Sequence, residues 1–303
     1  MKMLLIGSAV AGVIASFAAP VFAQAPVPFC VNATPHITNA AGLANNALLE
    51  ASAAGCVGAG PNAGVSGFAA NNIQGGYVER LVASFNNPLN PAAGLQFNAT
   101  TVVDLDTFKF GGFDINALIG GGNGTGLDTS YNLYAVVTTN GQISGTTFSP
   151  TSASVSFFLD RNRNTLVADN PFTLGVNEVW GANPNSLTFQ GTGNGEDLLL
   201  GSSSTLIAAT GTLGSGGGTD GFSALFNDLV LTVDGQNFFI APSPFLIRLF
   251  ADGDIDDGFV VASPTTLNLQ GNVNVSFAIP EPGSLALAGL ALLGLAAVRR
   301  RKA

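Results

Sequence analysis

The residues best suited to chemistry in this 303-residue chain are carboxylates, and they are concentrated in Asp252-Gly253-Asp254-Ile255-Asp256-Asp257-Gly258. Hard oxygen ligands at alternating positions suit Ca²⁺, so Asp252, Asp254, Asp256 and Asp257 are the candidate calcium ligands, placed in a loop after a strand. The fit to an EF-hand loop is incomplete. The sixth position is Asp257 where that loop needs glycine, and the twelfth is Ser263 where it needs glutamate. A solvated acidic turn accounts for the same residues. Asp160-Arg161-Asn162-Arg163-Asn164 is a weaker cation site, because its two arginines offset the attraction.

Catalytic chemistry has little to work with. His36 is the sole histidine and lies in a segment poor in core residues, so a nucleophile–histidine site or a zinc site lacks a firm anchor. Glu196 and Asp197 are adjacent, and adjacent strand residues point to opposite faces, which does not make a glycosidase pair. The expectation is a protein that is not an enzyme and holds no cofactor other than a possible Ca²⁺. The two cysteines, Cys30 and Cys56, are predicted to pair in an oxidising compartment.

Export follows from the N-terminus. Met1-Lys2-Met3 precedes an apolar stretch from Leu4 to Ala19, and Val21-Phe22-Ala23 has the small residues of a cleavage site. Residues 1–23 therefore read as a signal peptide for the Sec export machinery, cleaved after Ala23. Half of the ten basic residues lie at the two ends, in Lys2 and in Arg299-Arg300-Arg301-Lys302. The exported part keeps five basic residues against nineteen acidic ones, the last of them Glu281, for a net charge near −14. That balance excludes nucleic acid as a partner and fits cations or neutral glycans.

The elements that must carry these residues are strands. Charged residues make up only 10% of the chain, too few for the polar faces of long amphipathic helices. In Asn272 to Ile279 the apolar side chains Val273, Val275, Phe277 and Ile279 fall on every second residue. The same period appears in Ser152 to Phe157 and in Leu229, Leu231 and Val233. Further β-rich runs are Tyr77 to Phe85, Thr100 to Phe108, Tyr131 to Thr138, Asp197 to Gly201, Thr205 to Thr212 and Phe245 to Phe250, making about ten strands.

Asn140-Gly141 and Asp234-Gly235 predict hairpin turns, the first leading into Gln142 to Phe148 and the second into Gln236 to Ile240. The predicted fold is all-β, an antiparallel β-sandwich with jelly-roll-like connections over residues 73–279. Residues 24–72, rich in Ala, Asn and Gly, read as a loop-rich segment stapled by the disulfide.

The C-terminus has three parts in order. Pro280-Glu281-Pro282-Gly283-Ser284 cannot form helix at its prolines and leaves an extended, protease-accessible peptide. An apolar run from Leu285 to Val298 follows, expected as a transmembrane helix. Arg299, Arg300, Arg301 and Lys302 then act as a membrane stop on the cytoplasmic side. Residues 280–303 resemble the PEP-CTERM sorting signal.

That resemblance implies recognition of Pro280, Glu281 and Pro282 by exosortase, a membrane protease. It further implies transient inner-membrane anchoring and delivery to the cell surface or an exopolysaccharide matrix. Tyr131 to Ala135, Phe157 to Asp160, Asp197 to Leu200 and Phe238 to Phe245 also resemble, in order and spacing, the flocculation-associated PEP-CTERM proteins of the PepA type. This second resemblance implies a structural or adhesive role in cell aggregation. A carbohydrate- or Ca²⁺-binding module is the alternative, and a surface glycoside hydrolase comes third.

Overall fold

A computed structural model describes residues 27–36, 55–90, 94–115, 125–128, 130–145, 147–161, 163, 166–167, 172–173, 189–190, 197–212, 221–242, 248–254 and 264–278. The fold is all-β and antiparallel. The N-terminal segment supplies β1 (Phe29–Val31), β2 (Gly55–Val57) and β3 (Ser66–Ala70). The long strands are β4 (Asn72–Phe85), β5 (Leu95–Phe110) with its short partner β6 (Phe113–Asp114), β7 (Asn132–Ser144) and β8 (Thr147–Asp160). Three two-residue strands form a separate small sheet: β9 (Leu166–Val167), β10 (Phe172–Thr173) and β11 (Phe189–Gln190). The remainder are β12 (Asp197–Ser203), β13 (Thr205–Thr212), β14 (Gly221–Asn227), β15 (Val230–Leu231), the helix α1 (Val233–Phe238), β16 (Phe239–Ala241), β17 (Arg248–Asp254) and β18 (Thr265–Ala278).

One sheet dominates, with strand order β13-β14-β17-β18-β4-β5-β7-β8-β12-β15. It curls until β13, at one edge of this path, also pairs with β8 through Gly211↔Phe148 and Thr212↔Thr147. The two layers of the sandwich are thus walls of a single sheet bent into a flattened half-barrel. Rings meet across the interior: Tyr77 on β4 stands edge-on to Phe222 on β14 at 5.4 Å, and Phe157 on β8 lies 6.5 Å from Phe277 on β18. Buried alternate positions Ile73, Tyr77, Leu81 and Ala83 show how the period-two pattern of β4 sends one face inward.

The cysteine-bearing segment, expected to be mostly loop, is part of this core. β1 and β2 flank β3, and β16 completes a four-stranded sheet. Phe29, Val31, Ala33, Phe68 and Ala70 are buried in the same cluster as Phe157 and Phe277. The expected Cys30–Cys56 disulfide is present and joins the two strands on either side of β3. Its Cα atoms are 6.0 Å apart, whereas two strand spacings in a flat sheet are about 9.6 Å. The small sheet must therefore bend sharply across β3.

Both predicted hairpin turns are corrected. Asn140-Gly141 lies inside β7, opposite a bulge at Thr151 of β8, and the chain reverses farther on, where Ser144 pairs with Thr147 and Gly145 has φ of +61°. Glycine is required at 141 for space: a Cβ there would sit 2.6 Å from Cε1 of Phe97 and 2.5 Å from the Ser149 carbonyl oxygen. Asp234-Gly235 lies in α1, so the strand expected from Gln236 to Ile240 is helix as far as Phe238. Thr232 Oγ1 accepts from Gly235 N at 3.1 Å and caps this helix, with Asp234 in its first turn. Any side chain at 235 would overlap the Leu200 carbonyl oxygen. The strand expected through Leu229, Leu231 and Val233 is reduced to Val230–Leu231, and Val233 is 76% exposed.

Candidate functional site

Inside the half-barrel the packing is interrupted. One buried cluster contains Leu81, Ala83, Leu95, Phe97, Ala99, Ile143 and Phe148. The other holds Tyr77, Val103, Ala135, Phe157, Phe226 and Phe277 together with the N-terminal strands. Along β4 the inward positions run Tyr77, Glu79, Leu81, and along β5 they run Ala99, Thr101, Val103. In each strand the step from one cluster to the other passes through a polar residue. Register places these two opposite one another, Glu79↔Thr101.

A cavity of about 110 Å³ occupies this gap. Six aromatic residues contribute to its walls, Tyr77, Phe97, Phe148, Phe157, Phe222 and Phe226, and Glu79 and Thr101 line it as well. Thr101 Oγ1 donates to Glu79 Oε2 at 2.8 Å. Burial raises the Glu79 carboxyl above its ordinary value, and the Thr101 hydrogen bond offsets part of that rise. Glu79 keeps a fraction of accessible surface because it borders the cavity.

The wall beside the cavity is not fully laddered. β8 pairs with β13 only at Thr147 and Phe148, and with β12 from Val155 onward. Residues 149–154 between these pairings have no ladder partner on that side among the described residues. Pro150, which has no N–H to donate, lies in this interval and lines the cavity with Ala153. Leu206 and Ala209 of β13 line it from across the seam. The seam between β8 and β13 beside the cavity is thus closed by side chains and not by a backbone ladder along residues 149–154.

The raised carboxyl has a consequence for stability. A glutamate whose folded pKa exceeds its unfolded value binds its proton more tightly when folded. Its contribution is complete below the ordinary value of 4.5 and is lost as pH rises through the folded pKa. Denaturant midpoints measured from pH 4 to pH 7 are expected to fall more in the wild type than in Glu79→Gln, which has no proton to lose. Parallel profiles for the two proteins would mean that Glu79 is solvated like a surface carboxylate.

The other sequence-derived candidates are placed as follows. Asp252 and Asp254 belong to β17, opposite Ser223 and Gly221 of β14, so they sit in a ladder and not in the loop expected for them. Asp256 and Asp257 lie outside the described residues. Among the described residues no group of three or more His, Cys, Asp or Glu is arranged to hold a metal. Asp160 is buried and its Oδ1 accepts from Arg163 N at 2.6 Å, fastening the turn after β8. Asp197 begins β12 opposite Asp160 and accepts from Tyr134 OH at 2.9 Å. His36 ends a short 3-10 turn, Thr34–His36. Glu79 and Thr101 escaped the reading of the sequence, although a carboxylate between Tyr77 and Leu81 on one face of a strand is a visible irregularity.

Residues 1–23, expected as a signal peptide, and Pro280, Glu281 and Pro282, the apolar run and Arg299 to Lys302 also lie outside the described residues. Among the described residues no helix is long and apolar enough to cross a membrane. β18 ends at Ala278, and residues 278–302 match the PEP-CTERM protein-sorting motif. No curated protein and no solved structure matches the chain.

Proposed function

We propose, from the premise that this chain carries a PEP-CTERM protein-sorting motif and is sorted by exosortase to the cell surface, that it is a structural or adhesive component of the extracellular matrix which helps cells aggregate. The observation that carries the reading is the continuity between core and tail. β18 is paired on both sides, to β17 and to β4, and its last residue is the first residue of the motif. A pull on the C-terminal end left after processing is therefore delivered to an interior strand of the largest sheet, an arrangement suited to a protein that bears load between a surface and its surroundings. The disulfide and the acidic exported part suit an extracellular setting. The resemblance of four sequence segments to flocculation-associated proteins of the PepA type supports the aggregation role and an exopolysaccharide partner.

Deleting Gly283 to Ala303 in the native host tests this. The expected result is loss of the protein from the surface and matrix, with dispersal of the cell aggregates. Altered localisation with intact aggregates would retain sorting and overturn the adhesive role. Unchanged localisation would overturn the requirement for the tail itself.

A further inference from the structure

The cavity between the two core clusters is unusual in what it lacks. Protein interiors are packed about as densely as organic crystals, and voids larger than a water molecule are few. This one, at about 110 Å³, has several times the roughly 10–15 Å³ that one water requires. Its lining is mainly aromatic and aliphatic, so a cluster of waters would find few partners, while an apolar molecule would lose nothing by entering.

Five non-aromatic residues of the lining are polar, Glu79, Thr101, Thr139, Thr210 and Ser223, so a single carboxyl stands among four aliphatic hydroxyls. Glu79 and Thr101 form one cross-strand pair at the level where packing stops, and Thr101 engages only Oε2 of the carboxyl. Among the described residues no hydrogen bond reaches Glu79 Oε1. The pair therefore offers one hydrogen-bond acceptor to an occupant, enclosed by ring faces and edges. Along residues 149–154 the wall beside the cavity lacks ladder hydrogen bonds to β13, so it is the part of the barrel least held by backbone pairing.

We propose that this cavity is a binding site for a compact, uncharged ring compound bearing one hydroxyl or N–H group, which donates to the Glu79 carboxyl while the aromatic walls enclose the ring. The site selects against anions, because no cationic side chain lines the cavity to offset the cost of burying a charge there. Its size selects against long lipids and favours a molecule of one or two fused rings. Offset and edge-on ring contacts, of the kind Tyr77 and Phe222 already make, would hold the ligand between the two walls. This inference is independent of the aggregation role, since it concerns the interior of the domain and not its tail.

Indole is a suitable probe, and indene is its near-isostere without the N–H. Titration calorimetry of the full chain is expected to show one indole site and binding of indene weaker by about tenfold, the usual consequence of leaving a buried acceptor unpaired. Glu79→Leu should remove this preference for indole, and Thr101→Val provides a second variant that keeps the carboxyl while freeing its other oxygen. Ala224→Phe, which projects a ring from the cavity wall, should abolish binding of both probes while the unfolding transition is retained. Absence of indole binding to the wild type at millimolar concentration would overturn the proposal. Equal affinities for indole and indene would overturn the role of Glu79, and undiminished binding to Ala224→Phe would place the ligand elsewhere and overturn the site.

Discussion

Phe277→Ala is expected to lower the unfolding free energy by about 3–5 kcal/mol, the range for removing a fully enclosed aromatic ring. Phe277 has no exposed surface and stands edge-on to Phe29 at 4.8 Å and to Phe239 at 5.7 Å, with Phe157 at 6.5 Å. One ring thus joins β18 to β1, β16 and β8, three elements distant in sequence. Its carbonyl oxygen also accepts from Val27 N at 2.8 Å, fixing the segment that leads into β1 beside the end of β18. The cavity left by truncation cannot collapse easily, because each neighbour is held in its own strand. Urea unfolding should show a lower midpoint with an unchanged slope. Phe113→Ala, at a position 66% exposed, is the control and should move the midpoint by less than about 0.5 kcal/mol equivalent. Equal shifts for the two variants would mean that the aromatic cluster is not what closes this end of the barrel.

The position next to the motif makes this variant informative about function as well. Loss of Phe277 leaves every residue of the motif match unaltered, yet it weakens the strand from which the tail emerges. Sorting can then be separated from the mechanical continuity of tail and core, which deletion of the tail removes together.

Much of this architecture was legible because strand alternation is a direct record of burial. Val273, Val275 and Phe277 are buried as their spacing requires, and Val155 and Phe157 follow the same rule on β8. β14 did not announce itself, since Leu225 and Phe226 are both buried and no clean alternation survives when both faces of a strand are covered. The hairpin signals failed for a different reason. A turn dipeptide records only that a glycine is needed, and at 141 and 235 the need is close approach of a ring or a carbonyl, not positive φ. At the second site Thr232, three residues before Gly235, was a competing helix-start signal with its own mechanism.

The candidate site was less legible than the fold. A cavity depends on how opposite walls are spaced, and the pairing of β8 with β13 that sets this spacing joins residues far apart in sequence. Glu79 could be seen as an inward carboxylate only after β4 was assigned its face. Thr101 could be matched to it only after the register of β4 with β5 was known. The acidic run from Asp252 to Asp257 shows the converse: a conspicuous composition whose first two members are strand residues.

Cys30→Ser with Cys56→Ser is expected to cost about 3.5 kcal/mol, from the chain entropy restored to the unfolded state when a 26-residue separation is no longer closed. The size of the loop sets the loss, and the packing decides how it is expressed. Phe29, Val31 and Phe68 share their cluster with Phe157 and Phe277, so the small sheet cannot separate without exposing the end of the barrel. A single transition, shifted as a whole, is therefore the expected form of thermal and denaturant unfolding. Wild-type protein unfolded in excess dithiothreitol should coincide with the double variant. An early transition involving only the N-terminal strands, with the main transition unmoved, would instead show that the disulfide stabilises an attachment that the barrel does not depend on. An unchanged profile would mean that β1 and β2 are held by β3 and β16 alone, and that the cross-link serves resistance to proteolysis in the extracellular space more than folding stability.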